Sequence, residues 1–253
     1  MLTQILWWTG NLLIASLLVR ALSRRFFAKY PAFYLYLTLI LVVAFLRFYF
    51  FTFDPKNYGP LYWYTEFISV AVGYGIIWEV YERALTGYPG SLRMARWLVG
   101  AVFVTVLGKA LMNSLTGPAW GSAKNVLALE RNFRIVQAAL LLLILGVLTY
   151  YLIPIGRNLR GMIIGYGLYL GAGLISMTLG SDYGNTVFPW WRYFQPAAYL
   201  CTLLVWSAAL WSYHPSPAPT REILIEHDYD LISARTAQAV SRARAQVLRG
   251  VRG

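Results

Sequence analysis

The chain has 253 residues, of which 58% are hydrophobic and only 13% charged, and it carries a net charge of +12. Soluble domains hold roughly 25% charged residues, so the composition excludes an ordinary soluble enzyme or binding module. The positive charge sits at the ends of apolar segments and in the C-terminal tail, which is where a membrane protein collects it on its cytoplasmic side, and no nucleic-acid partner is expected. Ten Trp and nineteen Tyr fit the aromatic belts of a bilayer interface. One cysteine, Cys201, excludes an intrachain disulfide and a Cys-based metal cage, and both histidines, His214 and His227, follow the last apolar segment.

Seven apolar segments predict an all-α membrane protein, a seven-transmembrane-helix bundle, with spans at about 2–22, 31–52, 61–85, 94–115, 130–153, 159–180 and 191–213. Each has about twenty residues or more, enough at 1.5 Å per residue to cross a hydrocarbon core of roughly 30 Å. The first is followed, not preceded, by its basic residues, so it reads as an uncleaved helix instead of a signal peptide. Pro31 opens the second span favourably, because its missing N–H would be unpaired in a first turn. A short loop at 53–60 leads into the third span, and Gly87, Pro89 and Gly90 break the chain before the fourth. The longest loop, about 116–129, carries Gly117, Pro118 and Gly121. The fifth span closes on Pro154, Arg157 and Arg160. In the sixth, Gly161, Gly165, Gly167, Gly171, Gly173 and Gly180 give small-xxx-small spacings that suit close packing inside the bundle, with a dimer face as the other use.

The odd number of spans puts the termini on opposite sides. Fifteen of the 22 Lys and Arg residues lie in the first, third and fifth loops and the tail. That bias predicts the N-terminus outside and the C-terminus in the cytoplasm of a bacterial inner membrane. The tail, 214–253, begins HPSPAPT, which proline keeps extended. Residues 231–252 then predict a helix in which Arg235, Arg242 and Arg249 recur every seven residues, while Ile232, Val240, Val247 and Val251 fall on another side. Such a helix suits anionic headgroups at the cytoplasmic face. A solvated, partly disordered tail, or one that meets a cytoplasmic protein, are the other readings.

Ionisable groups inside spans are costly and need a reason. Arg47 lies about five residues, roughly 7 Å, inside the outer end of the second span, and Glu66 is at comparable depth in the third. Lys109 comes from the fourth. Glu130, Arg134 and Gln137 share one face of the fifth, being four and three residues apart, and Gln195 and Tyr199 stand at the same level in the seventh. If they converge, they form an outward-facing polar pocket with excess positive charge, suited to a small anionic or zwitterionic ligand. The more ordinary account is that the basic chains snorkel and the carboxylates staple neighbouring helices. Glu79 and Glu82, near the inner end of the third span, could relay protons but more often pair with arginines such as Arg83, Arg93 or Arg96. Asn11 and Asn113 suit interhelical hydrogen bonds.

No span contains histidine, so no His-ligated metal, bis-His haem or Ser-His pair is expected within the bilayer. Lysine is missing from the seventh span, which removes a retinal Schiff base at that position, and no phosphate-binding glycine loop or internal repeat is present. No cofactor is expected, and an enzyme is the least favoured class. LERNFRIVQ, YYLIPIGRNLRG, YPAFYLYL and YWYTEF together resemble a bacterial family of seven-helix integral membrane proteins with no assigned activity, over residues 2 to about 213. The topology is also similar to that of seven-helix sensor modules of histidine kinases, although the tail is too short for a kinase. Neither resemblance implies a site residue. Ligand sensing or scaffolding is the leading expectation, and a small-molecule transporter or an accessory subunit of a membrane complex is the alternative.

Overall fold

A computed structural model describes residues 2–116, 123–183, 191–214, 216–217 and 222–252. The chain is 89% helix, and no strand occurs among the described residues. The α-helices are α1 (Leu2–Ser23), α2 (Pro31–Phe53), α3 (Pro55–Ala84), α4 (Pro89–Thr116), α5 (Ala123–Tyr150), α6 (Arg157–Tyr183), α7 (Trp191–Leu210) and α8 (Glu222–Arg252). A 3-10 turn, Phe26–Ala28, joins α1 to α2.

The helices start and stop where side-chain chemistry requires. Pro31, Pro55 and Pro89 each open a helix, where a missing N–H costs nothing. At the end of α5, Leu152 takes a left-handed conformation with φ 52°. This lets the Ile153 N–H donate back to the Leu148 carbonyl at 2.9 Å before Pro154 ends the run. Several expected boundaries move. The loop expected at 53–60 shrinks to Asp54, because α3 starts at Pro55 and accommodates Pro60 within its early turns. α5 begins at Ala123, so most of the expected loop at 116–129 is helix or, at 117–122, outside the described residues. The tail helix begins at Glu222, not near 231.

Helices α1, α2, α3, α5, α6 and α7 form a ring in which each packs on the next and α7 returns to α1. α3 and α6 also touch across it, and α4 lies outside the ring against α3, α5 and α8. α6 and α7 approach most closely, because a Cβ on Gly161 would overlap Ala209 and one on Gly165 would overlap the Trp206 indole. Gly161 and Gly165 therefore serve bundle packing. Trp206, buried at this contact, meets Phe33 edge-on at 5.0 Å. The α3–α5 seam is tied by Gln137 Nε2 donating to the Val70 carbonyl at 2.7 Å and Tyr81 Oη donating to the Leu140 carbonyl at 2.7 Å.

The outer faces are apolar: Leu12, Val19, Val42, Phe45, Val104, Leu142, Ile164 and Leu204 are all exposed. A continuous apolar exterior of this extent belongs in lipid, since soluble surfaces rarely show apolar patches above a few hundred Å². Among the described residues six helices are long and apolar enough to cross a membrane: Gln4–Ser23, Pro31–Phe53, Pro89–Lys109, Glu130–Tyr150, Arg157–Thr178 and Tyr193–Leu210. The chain thus has the build of a multi-pass membrane protein. α3, expected as the third of seven spans, is long enough at 30 residues but holds Glu66, Glu79, Glu82 and Arg83. Its neighbours α2, α4, α5 and α6 take up much of its surface, which lets it be more polar than the others.

Candidate functional site

Five of the residues expected to share a level near one end of the bundle meet on α2, α3 and α5. Glu66 bridges two arginines: its Oε2 accepts from Arg47 Nη2 at 2.9 Å and its Oε1 from Arg134 Nη2 at 2.9 Å. Glu130 Oε1 accepts from Arg134 Nε at 2.9 Å and Nη2 at 2.8 Å, across one helical turn. Arg47 also donates from Nε to Thr65 Oγ1 at 2.9 Å and from Nη2 to the Tyr62 carbonyl at 3.1 Å. Arg134 is 1% exposed, reaches the Tyr169 hydroxyl at 3.1 Å, and lies over that ring at 4.8 Å. Gln137 is buried one turn deeper and binds the α3 backbone.

Glycine makes room for this arrangement. A Cβ on Gly173 would come within 2.8 Å of Arg134 Nη1, so the guanidinium occupies the groove that the α6 glycine leaves. Nη1 itself is buried with no hydrogen-bond partner, as is Ser176 Oγ, three residues along α6. Tyr62, Thr65, Tyr169 and Gly173 were not among the expected site residues. Spacing alone does not mark them, although Tyr169 and Gly173, four apart, share a face of α6.

Two expected members stand apart. Lys109 is exposed on α4, which lies outside the ring, and Gln195 is exposed on α7. Tyr199 reaches the edge of the cluster through its ring, 6.3 Å from that of Tyr169. Without Lys109, the network contains two arginines and two carboxylates. The excess positive charge expected of the pocket is therefore not present: the ions neutralise one another.

Glu79 and Glu82 separate in function. Glu79 is 3% exposed, and its Oε2 accepts the backbone N–H of Phe33 at 2.9 Å. It caps α2 from a neighbouring helix, since Tyr30 at the N-cap supplies no side-chain bond and α2 has no acidic residue in its first turn. Its hydrogen bond thus goes to a helix N-terminus, while Arg83, one of the arginines expected near it, acts on its charge without a direct ion pair. Glu82 does pair with Arg96, at 2.7 Å. Asn11 is buried with Nδ2 unpartnered, and the side chain of Asn113 lies outside the described residues.

At the opposite end, the α1–α2, α3–α4 and α5–α6 connections and the segment after α7 surround a cavity of about 430 Å³. Tyr30, Tyr88 and Ile153 are its buried floor, and Lys29, Arg83 and Tyr213 stand at its more open rim. Burial pushes the Tyr30 phenol up to about 12, so it stays a neutral hydrogen-bonding group. Basic residues near this end also close the C-terminus of α7: Arg20 Nε donates to the Trp211 carbonyl at 3.1 Å and Arg157 Nη2 to the Ala208 carbonyl at 2.8 Å. Asn158 Nδ2 adds bonds to the carbonyls of Ala209, at 2.9 Å, and Ser212, at 2.8 Å.

Beyond this end, α8 packs on α4, and Asp228 accepts from the Tyr151 hydroxyl at 2.9 Å. Arg235, Arg242, Leu231, Ile232 and Val240 are exposed, and the side chain of Arg249 lies outside the described residues. No group of three or more His, Cys, Asp or Glu that could hold a metal occurs among the described residues. In comparisons with known proteins, no family model, no curated protein and no solved structure matches this chain.

Proposed function

We propose that the chain is a seven-span membrane protein, N-terminus outside and C-terminus cytoplasmic, that senses a small anionic ligand or scaffolds other proteins. The observation that carries this reading is the Arg47–Glu66–Arg134–Glu130 network, whose central carboxylate ties α2 to α5 through α3. A ligand carboxylate would compete with Glu66 for the guanidinium of Arg47, which is the more accessible arginine at 20% side-chain exposure against 1% for Arg134. Arg134 Nη1, in the same network, is a buried donor with no hydrogen-bond partner. Exchange of partners at Glu66 would loosen α2 against α3, and α3 carries Glu79, the cap of α2, to the far end. That is a two-state element of the kind a sensor needs.

Transport is less well supported. Between the network and the far cavity, the buried positions of α3 and α5 include Ile76, Ile77, Val80, Leu140, Leu141, Ile144 and Leu148. These provide no polar path, and Glu79, a buried carboxylate at that depth, is committed to a backbone N–H. The exposed Arg235 and Arg242 of α8, with Leu231, Ile232 and Val240, suit anionic headgroups on the cytoplasmic leaflet of a bacterial inner membrane. The same helix is the surface for a cytoplasmic protein partner.

The test is calorimetric titration of the purified chain in nanodiscs with succinate, glutamate and glycine betaine. Binding of at least one, lost in Arg47→Gln while the helical circular dichroism is retained, is the expected result. No binding of any of the three to the folded wild-type protein overturns the ligand reading.

A further inference from the structure

The cavity at the basic end serves neither the charge network nor the α8 surface, and its walls have a distinct chemistry. Four groups form a ladder along it. Arg83 lies over the Tyr30 ring at 5.8 Å, Tyr30 and Tyr213 are 6.5 Å apart between centroids, and Lys29 Nζ sits 3.1 Å from the Tyr213 centroid. Each cation thus lies against one of two neighbouring aromatic rings, and all four residues line one space.

Among the described residues neither Lys29 nor Arg83 has a carboxylate in direct contact, although Arg83 is close enough to Glu79 for their charges to interact. The two nearest carboxylates on α3 are committed, Glu79 to the Phe33 N–H and Glu82 to Arg96. Among the described residues no Asp or Glu lines the cavity. Other basic residues near this end are occupied in a different way, Arg20 and Arg157 by carbonyls at the end of α7. A ring face is a weak partner for an ammonium or guanidinium, so a charged acceptor would displace it. The floor, with Tyr30 and Ile153, offers a phenol and apolar surface beneath the charges.

We infer that this cavity binds a phosphate-bearing anion, with the phosphate held between Lys29 and Arg83 and its organic portion against Tyr30, Tyr213 and Ile153. A bare inorganic ion would underfill about 430 Å³, which falls in the range of small-molecule sites. A phosphate carries up to two negative charges, matching the two cations, and an arginine can meet two of its oxygens at once. The organic portion comes either from a phospholipid headgroup of the adjoining leaflet or from a soluble phosphorylated metabolite.

Two arms distinguish the sources. In the first, the full chain in phosphatidylcholine nanodiscs is titrated with glycerol 3-phosphate, and the phosphorus-31 line width and melting temperature are followed. In the second, the chain is purified from vesicles of phosphatidylcholine and phosphatidylglycerol, and retained phosphatidylglycerol is counted by native mass spectrometry. Binding is expected in at least one arm, weakened about tenfold by Lys29→Gln or Arg83→Gln, since each removes one charged hydrogen-bond donor. It should be retained in Lys29→Arg and in Arg96→Gln, which alters a pair outside the cavity. Helical circular dichroism identifies any variant that fails to fold, and the charge-keeping Lys29→Arg then decides. A response in the first arm identifies a soluble metabolite, and one in the second arm alone a lipid. No binding in either arm, or binding that Lys29→Gln and Arg83→Gln leave unchanged, overturns the proposal.

Discussion

Arg134 shows what one buried residue demands of its surroundings. A guanidinium 1% exposed must have its charge matched and most of its donors satisfied, and this takes Glu130, Glu66 and Tyr169 together with the groove at Gly173. Glu66→Gln removes the charge shared by two arginines. It is expected to cost about 3 kcal/mol, the low end of what breaking a buried ion pair costs, whereas Arg47→Gln, at a more exposed pair, costs about 1 kcal/mol. Reversible unfolding in mixed detergent micelles measures both. Equal effects for the two variants would show that Glu66 serves Arg47 alone. The charged members of this site are legible in the sequence. Glu130, Arg134 and Gln137 at spacings of four and three must share a helix face, and the depth of Glu66 and Arg47 along their spans made them candidates to pair. Lys109 had comparable depth but sits on a helix outside the ring, and depth along a sequence carries no information about azimuth.

Among the elements, α6 is set by what it lacks. Its glycines act at different neighbours: Gly161 and Gly165 admit α7, Gly173 admits Arg134, and Gly171 has nothing within 4 Å of an added Cβ. Gly165→Leu is therefore expected to destabilise the chain by about 2–3 kcal/mol through overpacking against the Trp206 indole, a bulky ring held in the core. Gly171→Leu should leave the melting temperature within experimental error. Thermal scans in detergent compare the two, and similar losses would remove the α6–α7 contact as the reason for the glycines. α3 shows the reverse case. It holds more ionisable residues than a lipid-facing helix tolerates, and it does so because α2, α4, α5 and α6 provide its surroundings. Its polar groups were evident from the sequence, but their partners were not: Glu79 meets a backbone N–H that no residue pattern announces.

At the scale of the molecule, alternating helices gather the odd connections at one end, and the shared cavity joins Lys29, Gly87 and Pro154 from three of them, with Arg83 from the last turn of α3. The proposed orientation places this end in the cytoplasm. In a Cys201→Ser background, Asn57→Cys should react with a membrane-impermeant maleimide on intact cells, and Thr86→Cys only after lysis; both positions are exposed. The opposite pattern would invert the topology, and labelling of both from outside would remove the alternation. The sequence by itself determined that this is a helical, lipid-facing chain with its basic residues concentrated in alternate connections, because hydrophobic run length and charge position are local properties. Helix boundaries were displaced by several residues, at Pro55 because proline opens a helix earlier than hydropathy marks it, and at Glu222. The tertiary structure alone decided which ionisable groups meet, that their charges cancel around Glu66, and that a cavity lined by Lys29 and Arg83 lies at the other end. Those outcomes depend on helix rotation and neighbour order, and helices of nearly uniform apolar composition record neither in their sequence.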